Sequence, residues 1–71
     1  MENILTEREL KVLINLTNGL TNTEIANKLY ISVHTVKAHL EVIYEKLKVN
    51  NRVQAAIKAV ALGFVDVKSF I

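Results

Sequence analysis

Hydrophobic residues recur at steps of three and four in one long uninterrupted stretch, residues 31–47, which reads ISVHTVKAHLEVIYEKL. This spacing is typical of a helix with one face turned towards a core. Ser32 is a good N-cap, and neither Gly nor Pro interrupts the residues that follow it. We therefore predict a helix over about residues 33–47. Its predicted core stripe is Val33, Val36, Leu40, Ile43 and Leu47. Its predicted outward face consists of His34, Lys37, Ala38, Glu41, Glu45 and Lys48.

Three pairs of residues mark the starts of the other helices. Each pair has the spacing of a capping box, in which a short polar side chain and a Glu or Gln satisfy backbone amides reciprocally. The pairs are Thr6 with Glu9, Thr21 with Glu24, and Asn51 with Gln54. Gly19 and Gly63 can adopt the left-handed conformation that ends a helix. The predicted helices cover about residues 7–18, 22–29 and 52–62, and an apolar tail follows over residues 64–71. No stretch has a convincing strand pattern, so we expect one all-α domain over residues 1–71.

Two of these helices carry a second apolar stripe. In the first helix, Val12, Leu13 and Leu16 are predicted to face the core, with Leu10 and Ile14 roughly opposite. In the last helix, the predicted core stripe is Val53, Ala56, Ile57 and Val60, and the second strip is Ala55, Ala59 and Leu62. Small residues at this spacing allow another helix to approach closely, although alanine is also simply a good helix former. We interpret the second strip as a contact surface.

Composition excludes several classes of protein. The 71 residues include no Cys and two His, so we expect neither a disulfide framework nor a metal site. No apolar run approaches ~18 residues, and the start MENILTERE is acidic where a signal peptide is basic. We expect a cytoplasmic protein without a membrane segment. No hydroxyl or carboxylate has a convincing base, metal or phosphate loop nearby in sequence, so neither an enzyme nor a cofactor is expected.

Positive charge is concentrated in the second half of the chain. Residues 1–31 have a net charge of −1 and residues 32–71 a net charge of +3. The excess lies on and just after the long predicted helix, as expected for a protein that binds phosphates. On charge alone, an ordinary solvated surface explains the same numbers equally well.

A short helix, a tight turn at Tyr30 and Ile31, and a longer helix with a polar outward face form a helix-turn-helix pattern. The segments LTERELKVL, NGLTNTEIANKLYISVHTVKAHLEVIYEKLKV and NRVQAAIKAVALGFV closely resemble the DNA-binding domain of LuxR-type transcription regulators. The resemblance covers residues 5–65, and EIA, IS, TVK and NR all stand in the family's register. It implies a four-helix domain that binds double-stranded DNA through its third helix and forms a homodimer through its fourth.

Carried over by position, the resemblance implies a set of base-contacting residues on the third helix: His34, Lys37, Ala38 and Glu41. Glu41 departs from the family pattern, because a carboxylate repels phosphates and can only accept a hydrogen bond, for example from a cytosine amino group. A solvent-exposed acid is an equal alternative for Glu41. The predicted phosphate-contacting residues are Thr21, Asn22, Thr35, Lys46, Lys48, Asn51 and Arg52. Lys46 has the alternative of pairing with a neighbouring Glu, and Lys48 stands where the family usually has Gly.

The sequence therefore predicts a sequence-specific DNA-binding transcription regulator whose dimer interface includes Ala55, Ala59 and Leu62. The alternative is a protein-binding module that pairs with a larger LuxR-type regulator, or docks on RNA polymerase, without reading DNA. The modest net charge, Glu41, the extra stripe of Leu10 and Ile14, and the apolar tail favour that alternative.

Overall fold

Four α-helices form the regular structure of residues 4–66, the part of the chain that this computed structural model describes. They are α1 (Glu7–Thr17), α2 (Asn22–Leu29), α3 (Val33–Leu47) and α4 (Arg52–Ala61). No strand occurs within that range. The predicted all-α class is confirmed, and each predicted helix end lies within one residue of the observed end. None of the helices between residues 4 and 66 combines the length and the apolar character needed to cross a membrane.

The helix starts follow the predicted caps, with one difference. The Thr6 side chain accepts a hydrogen bond from the Glu9 amide at 3.1 Å, and the Glu9 carboxylate accepts one from the Thr6 amide at 2.9 Å. The box formed by Thr21 and Glu24 is equally complete. At α4 only half of the predicted box forms. Asn51 caps the Gln54 amide, but the Gln54 side chain accepts its hydrogen bond from the Asn50 amide, one residue earlier than predicted.

The helix ends use the left-handed conformation at four positions. Gly19 and Gly63 have φ angles of +91° and +79°, as the sequence predicts. Tyr30 and Lys48 adopt the same conformation, with φ angles of +58° and +57°, at the ends of α2 and α3. A side chain makes this conformation costly. Lys48 thus ends α3 where the resemblance expects Gly, and it bears the strain that a glycine would avoid.

The core lies between α1 and the other three helices. It consists of the buried residues Leu5, Val12, Leu13, Leu16, Ile25, Ala26, Val36, Leu40, Ile43, Leu47, Ala55, Ala59 and Val65. The predicted stripes of α1 and α3 are confirmed, with Val33 half-buried. Leu10 and Ile14 are half-buried and pack against this core instead of forming a separate outer stripe. Of the apolar tail, Phe64 and Val65 also pack there, and residues 67–71 lie outside the described range.

The prediction of which face of α4 is buried is wrong. Part of the strip predicted as a contact surface is buried, and part of the predicted core stripe is exposed. Ala55 and Ala59 are completely buried in the monomer, whereas Val53 and Ile57 are each 65% exposed. The exchange has a steric reason, because α4 packs against α1 and small side chains at the contact allow two helices to approach closely. Ala55 and Ala59 are therefore core residues and cannot form a contact surface. Leu62, from the same predicted strip, is exposed just beyond the end of α4.

Candidate nucleic-acid interface

The turn between α2 and α3 fixes the direction of α3. Ile25 and Ala26 bury the inner side of α2, and the Ile31 amide donates a hydrogen bond to the Ala26 carbonyl at 3.0 Å. Ser32 then caps α3 by accepting a hydrogen bond from the Thr35 amide at 3.0 Å. Because hydrogen bonds hold both ends of the turn, the start of α3 has a fixed orientation, and the helix buries its apolar stripe.

The opposite side of α3 is an exposed surface with mixed chemistry. His34, Lys37, Ala38 and Glu41 are all exposed, as predicted from the sequence. Lys37 forms no ion pair within residues 4–66, so its ammonium group is available to a partner. This face offers donors, a methyl group and a carboxylate side by side, which are groups able to contact base edges.

The starts of α2 and α4 are held together by Arg52. Its Nη2 donates to the Leu20 carbonyl oxygen at 2.7 Å, and its Nη1 donates to Oδ1 of Asn22 at 3.3 Å. The two helix N-termini, with Thr21 and Asn51 as caps, therefore meet around one half-buried guanidinium group. Helix N-termini carry partial positive charge, so this junction is electropositive.

Lys46 is paired with an acidic residue of the same chain, in contrast to its predicted role. Its Nζ lies 2.7 Å from Oε1 of Glu9, and the side chains of Lys46 and Glu9 are 33% and 9% exposed. The hydrogen bond from Lys46, followed by that from the Thr6 amide, lowers the pKa of Glu9 below its ordinary value, against the opposing effect of burial. A cation neutralised in this way is a poor phosphate contact. The acidic partner lies 37 residues away in the sequence, not on α3 as the alternative supposed.

Two other predicted phosphate contacts differ in availability. Thr35 is half-buried, and its hydroxyl lies 2.9 Å from that of Ser32, so it can still accept or pass on a hydrogen bond. Lys48 is exposed at the end of α3 and forms no ion pair within the described range. Lys48 is therefore the freer of the two basic residues near that end.

Sequence reasoning missed two features, one between α1 and α2 and one on α3. Arg8 on α1 donates from Nη1 to the Leu29 carbonyl oxygen at 3.2 Å and so ties α1 to the end of α2. No sequence signal pairs these residues, which are 21 positions apart. Val42 on α3 is 40% exposed. Its position, one helical turn after Ala38, was available from the periodicity and would have placed it beside the predicted contacts.

Comparison with known proteins identifies the family. The family model described as "Bacterial regulatory proteins, luxR family" matches residues 3–59. The chain is 56% identical over 59 residues to the transcriptional regulatory protein LnrK of Bacillus subtilis (strain 168), covering 83% of this chain and 27% of that protein. It is 45% identical over 65 residues to the transcriptional regulatory protein DegU of Brevibacillus brevis, covering 92% of this chain and 28% of that protein. The response regulator protein VraR of Staphylococcus aureus (strain NCTC 8325 / PS 47) is 45% identical over 56 residues, which are 79% of this chain and 27% of VraR.

The chain thus spans about a quarter of the length of these relatives. With its four helices and its exposed α3 face, it belongs to the LuxR family as a helix-turn-helix DNA-binding domain of transcription regulators.

Proposed function

We propose that the chain binds DNA sequence-specifically as a homodimer and inserts α3 into the major groove. The observation that carries this proposal is the division of α3 into a buried apolar stripe and an exposed polar face that the capped turn holds outward. A helix of this kind fits the major groove, which is wide enough to admit one helix. Transcription regulation follows if the bound site lies in a control region.

Four residues of α3 are proposed to contact bases. Lys37 donates to guanine O6 and N7, and Ala38 packs its methyl group against a thymine methyl. His34 reaches the groove from the first turn of α3, and Glu41 accepts a hydrogen bond from a cytosine amino group. All four side chains are exposed, which is the condition that such contacts require.

The proposed phosphate contacts fall into two groups. One group is the junction between the starts of α2 and α4, where amides near Thr21, Asn22 and Asn51 surround the Arg52 side chain. The other is on α3, where Thr35 lies in the first turn and Lys48 at the end. Lys46 is removed from the predicted set because its charge is already paired with Glu9. Contacts of this kind position the protein on the duplex without specifying sequence.

The proposed dimer surface is the outer face of α4. Val53, Ile57 and Val60 follow one another at steps of four and three, and the first two are 65% exposed. An apolar groove of about 550 Å³ continues this face and is lined by Thr17, Ala56, Ile57, Val60 and Ala61. Pairing two copies here removes this apolar surface from water. A two-fold axis at α4 suits an imperfect inverted repeat whose half-sites are about 34 Å apart, or one turn of DNA.

The same α4 surface supports the alternative function. The relatives are about four times as long as this chain, so larger LuxR-type regulators exist that have a matching domain. In the alternative function, the apolar face of α4 pairs with such a regulator or with RNA polymerase. In that case the exposed α3 face would not select a DNA sequence.

Selection of duplexes from a random pool, repeated across a salt series, tests the proposal. We expect an inverted repeat to be enriched, with affinity falling at a log-log slope of about −0.9 per phosphate contacted. Ile57→Ser should weaken binding to the full repeat more than binding to a single half-site. Affinity that stays in the non-specific range of roughly 10⁻⁴ to 10⁻⁶ M at physiological salt would reject autonomous DNA reading and favour the protein-binding alternative.

A further inference from the structure

Val42 is the one large apolar side chain that the structure exposes on α3, all of which lies in the described range. It is 40% exposed, and it follows Ala38 by four residues, so the two side chains lie one above the other on the helix surface. The remaining exposed side chains of α3 are charged or polar: His34, Lys37, Glu41, Glu45 and Lys46. Ala38 and Val42 thus form a narrow apolar strip within a polar surface.

The fold itself does not account for valine at this position. The core side of α3 is already occupied by its four buried residues, and Val42 is not among them. Valine is also a weaker helix former than alanine, lysine or glutamate, so helix propensity does not favour it on an exposed face. Its two methyl groups remain available to a partner that approaches α3.

The neighbouring charges restrict what that partner can be. Glu41 precedes Val42, and Glu45 follows it by three residues; both carboxylates are exposed. An apolar strip of two side chains bordered by carboxylates is far smaller than the roughly 800 Å² that each partner buries in a stable protein interface. Carboxylates also repel phosphates, so this part of α3 is better suited to base edges than to the DNA backbone.

We propose that Val42 is a specificity-determining residue that recognises the C5-methyl group of a thymine. This inference rests on the proposed insertion of α3 into the major groove. The thymine methyl is the apolar group that distinguishes base pairs in that groove, and contact with it requires an apolar side chain at the helix surface. Val42 lies one turn, about 6 Å, beyond Ala38 along α3. The thymine it contacts therefore lies roughly two base-pair steps from the base contacted by Ala38, at the typical spacing of 3.4 Å.

Replacement of thymine by deoxyuridine tests this contact because it removes the methyl group and leaves the hydrogen-bonding edge unchanged. The enriched duplex is synthesised with each thymine of one half-site replaced in turn, and its affinity is measured for the wild type and for Val42→Ala. Besides the thymine contacted by Ala38, the wild type should be sensitive at one further position, about two base pairs away, and lose about fourfold in affinity there, as expected for one buried methyl group. At that further position, Val42→Ala should bind the thymine and deoxyuridine duplexes with nearly equal affinity, while it keeps the wild-type loss at the thymine contacted by Ala38. Alanine favours the helix, so the variant should stay folded.

Val53→Ala is the matched control, since Val53 is an exposed valine on α4 instead of α3. It should retain the full thymine-to-deoxyuridine ratio even if its overall affinity falls. An equal ratio in the wild type and Val42→Ala at every thymine would overturn this inference while leaving DNA reading by α3 intact. If the pool enriches no duplex, the proposed function fails first and this inference fails with it.

Discussion

The Nζ of Lys46 lies 2.7 Å from Oε1 of Glu9, the same carboxylate oxygen that caps the amide of Thr6 at 2.9 Å. One carboxylate therefore closes the start of α1 and anchors the last turn of α3. Because α3 is the proposed recognition helix, this pair is a link between the stability of the fold and the orientation of the DNA-contacting face. Because Lys46 is paired with Glu9, we expect it to contribute to stability and not to phosphate binding.

Lys46→Met should destabilise the fold without removing a phosphate contact. A hydrogen bond to a charged group contributes about 1.5–3 kcal/mol, so we expect the free energy of urea unfolding to fall by roughly that amount. The salt slope of DNA binding should not change. Lys48→Met is the comparison, because Lys48 is exposed and unpaired within the described range; it should reduce the slope by about 0.9 per copy. A reduced slope in Lys46→Met would restore Lys46 to the phosphate-contacting set.

The same pair makes stability depend on pH. Lys46 and the Thr6 amide lower the pKa of Glu9 in the folded state, so the folded state holds its proton less tightly than the unfolded state does. The stabilisation is present above the ordinary carboxyl pKa of about 4.5 and is lost as pH falls through the lowered value. Glu9→Gln should therefore be less stable than the wild type at neutral pH, and the difference should shrink in acid. Parallel stability curves from pH 7 to pH 2 would contradict this assignment.

The exchanged faces of α4 predict opposite behaviour for two positions that are two residues apart. Ala59 is completely buried, so Ala59→Leu should overpack the contact with α1 and cost about 1–3 kcal/mol in thermal unfolding. Ile57 is 65% exposed, so Ile57→Ser should change the stability of the monomer by no more than about 0.5 kcal/mol. Sedimentation should instead show weaker self-association for Ile57→Ser. Unfolding of Ile57→Ser at concentrations where the monomer prevails would show that this face belongs to the core.

The strained end of α3 predicts a stabilising substitution. Lys48 has a φ angle of +57° and is exposed, so Lys48→Gly relieves the conformation without removing a packed side chain. Allowing for the greater freedom of glycine in the unfolded chain, we expect a gain of roughly 0.5–1 kcal/mol in unfolding free energy. Binding to DNA should weaken at the same time because one positive charge is lost. Tighter binding together with higher stability would argue against a phosphate contact at Lys48.

How far the structure could be predicted depends on whether the responsible interactions are local. Thr6, Thr21 and Ser32 cap helices through neighbours three residues away, so the helix starts were visible in the sequence. The outward face of α3 followed from periodicity for the same reason. The α4 faces were not predictable in this way, because both stripes are apolar and the choice depends on how closely α1 approaches. Lys46 with Glu9 and Arg52 with Leu20 join residues more than 30 positions apart, and no local pattern reveals them.

The central claim, that the exposed face of α3 reads base sequence, is tested most directly with Lys37→Ala. The measurement compares its affinity for the selected inverted repeat and for a scrambled duplex with that of the wild type. Lys11→Ala is the control, since it removes the same charge from an exposed lysine on α1 whose ammonium lies 3.8 Å from the Glu7 carboxylate.

We expect Lys37→Ala to lose about 1–3 kcal/mol of binding to the selected repeat, with a much smaller loss on the scrambled duplex. Lys11→Ala should leave the ratio of the two affinities unchanged. Equal losses on both duplexes, or the same effect from Lys11→Ala, would mean that Lys37 contributes charge alone and that α3 does not read the sequence through it.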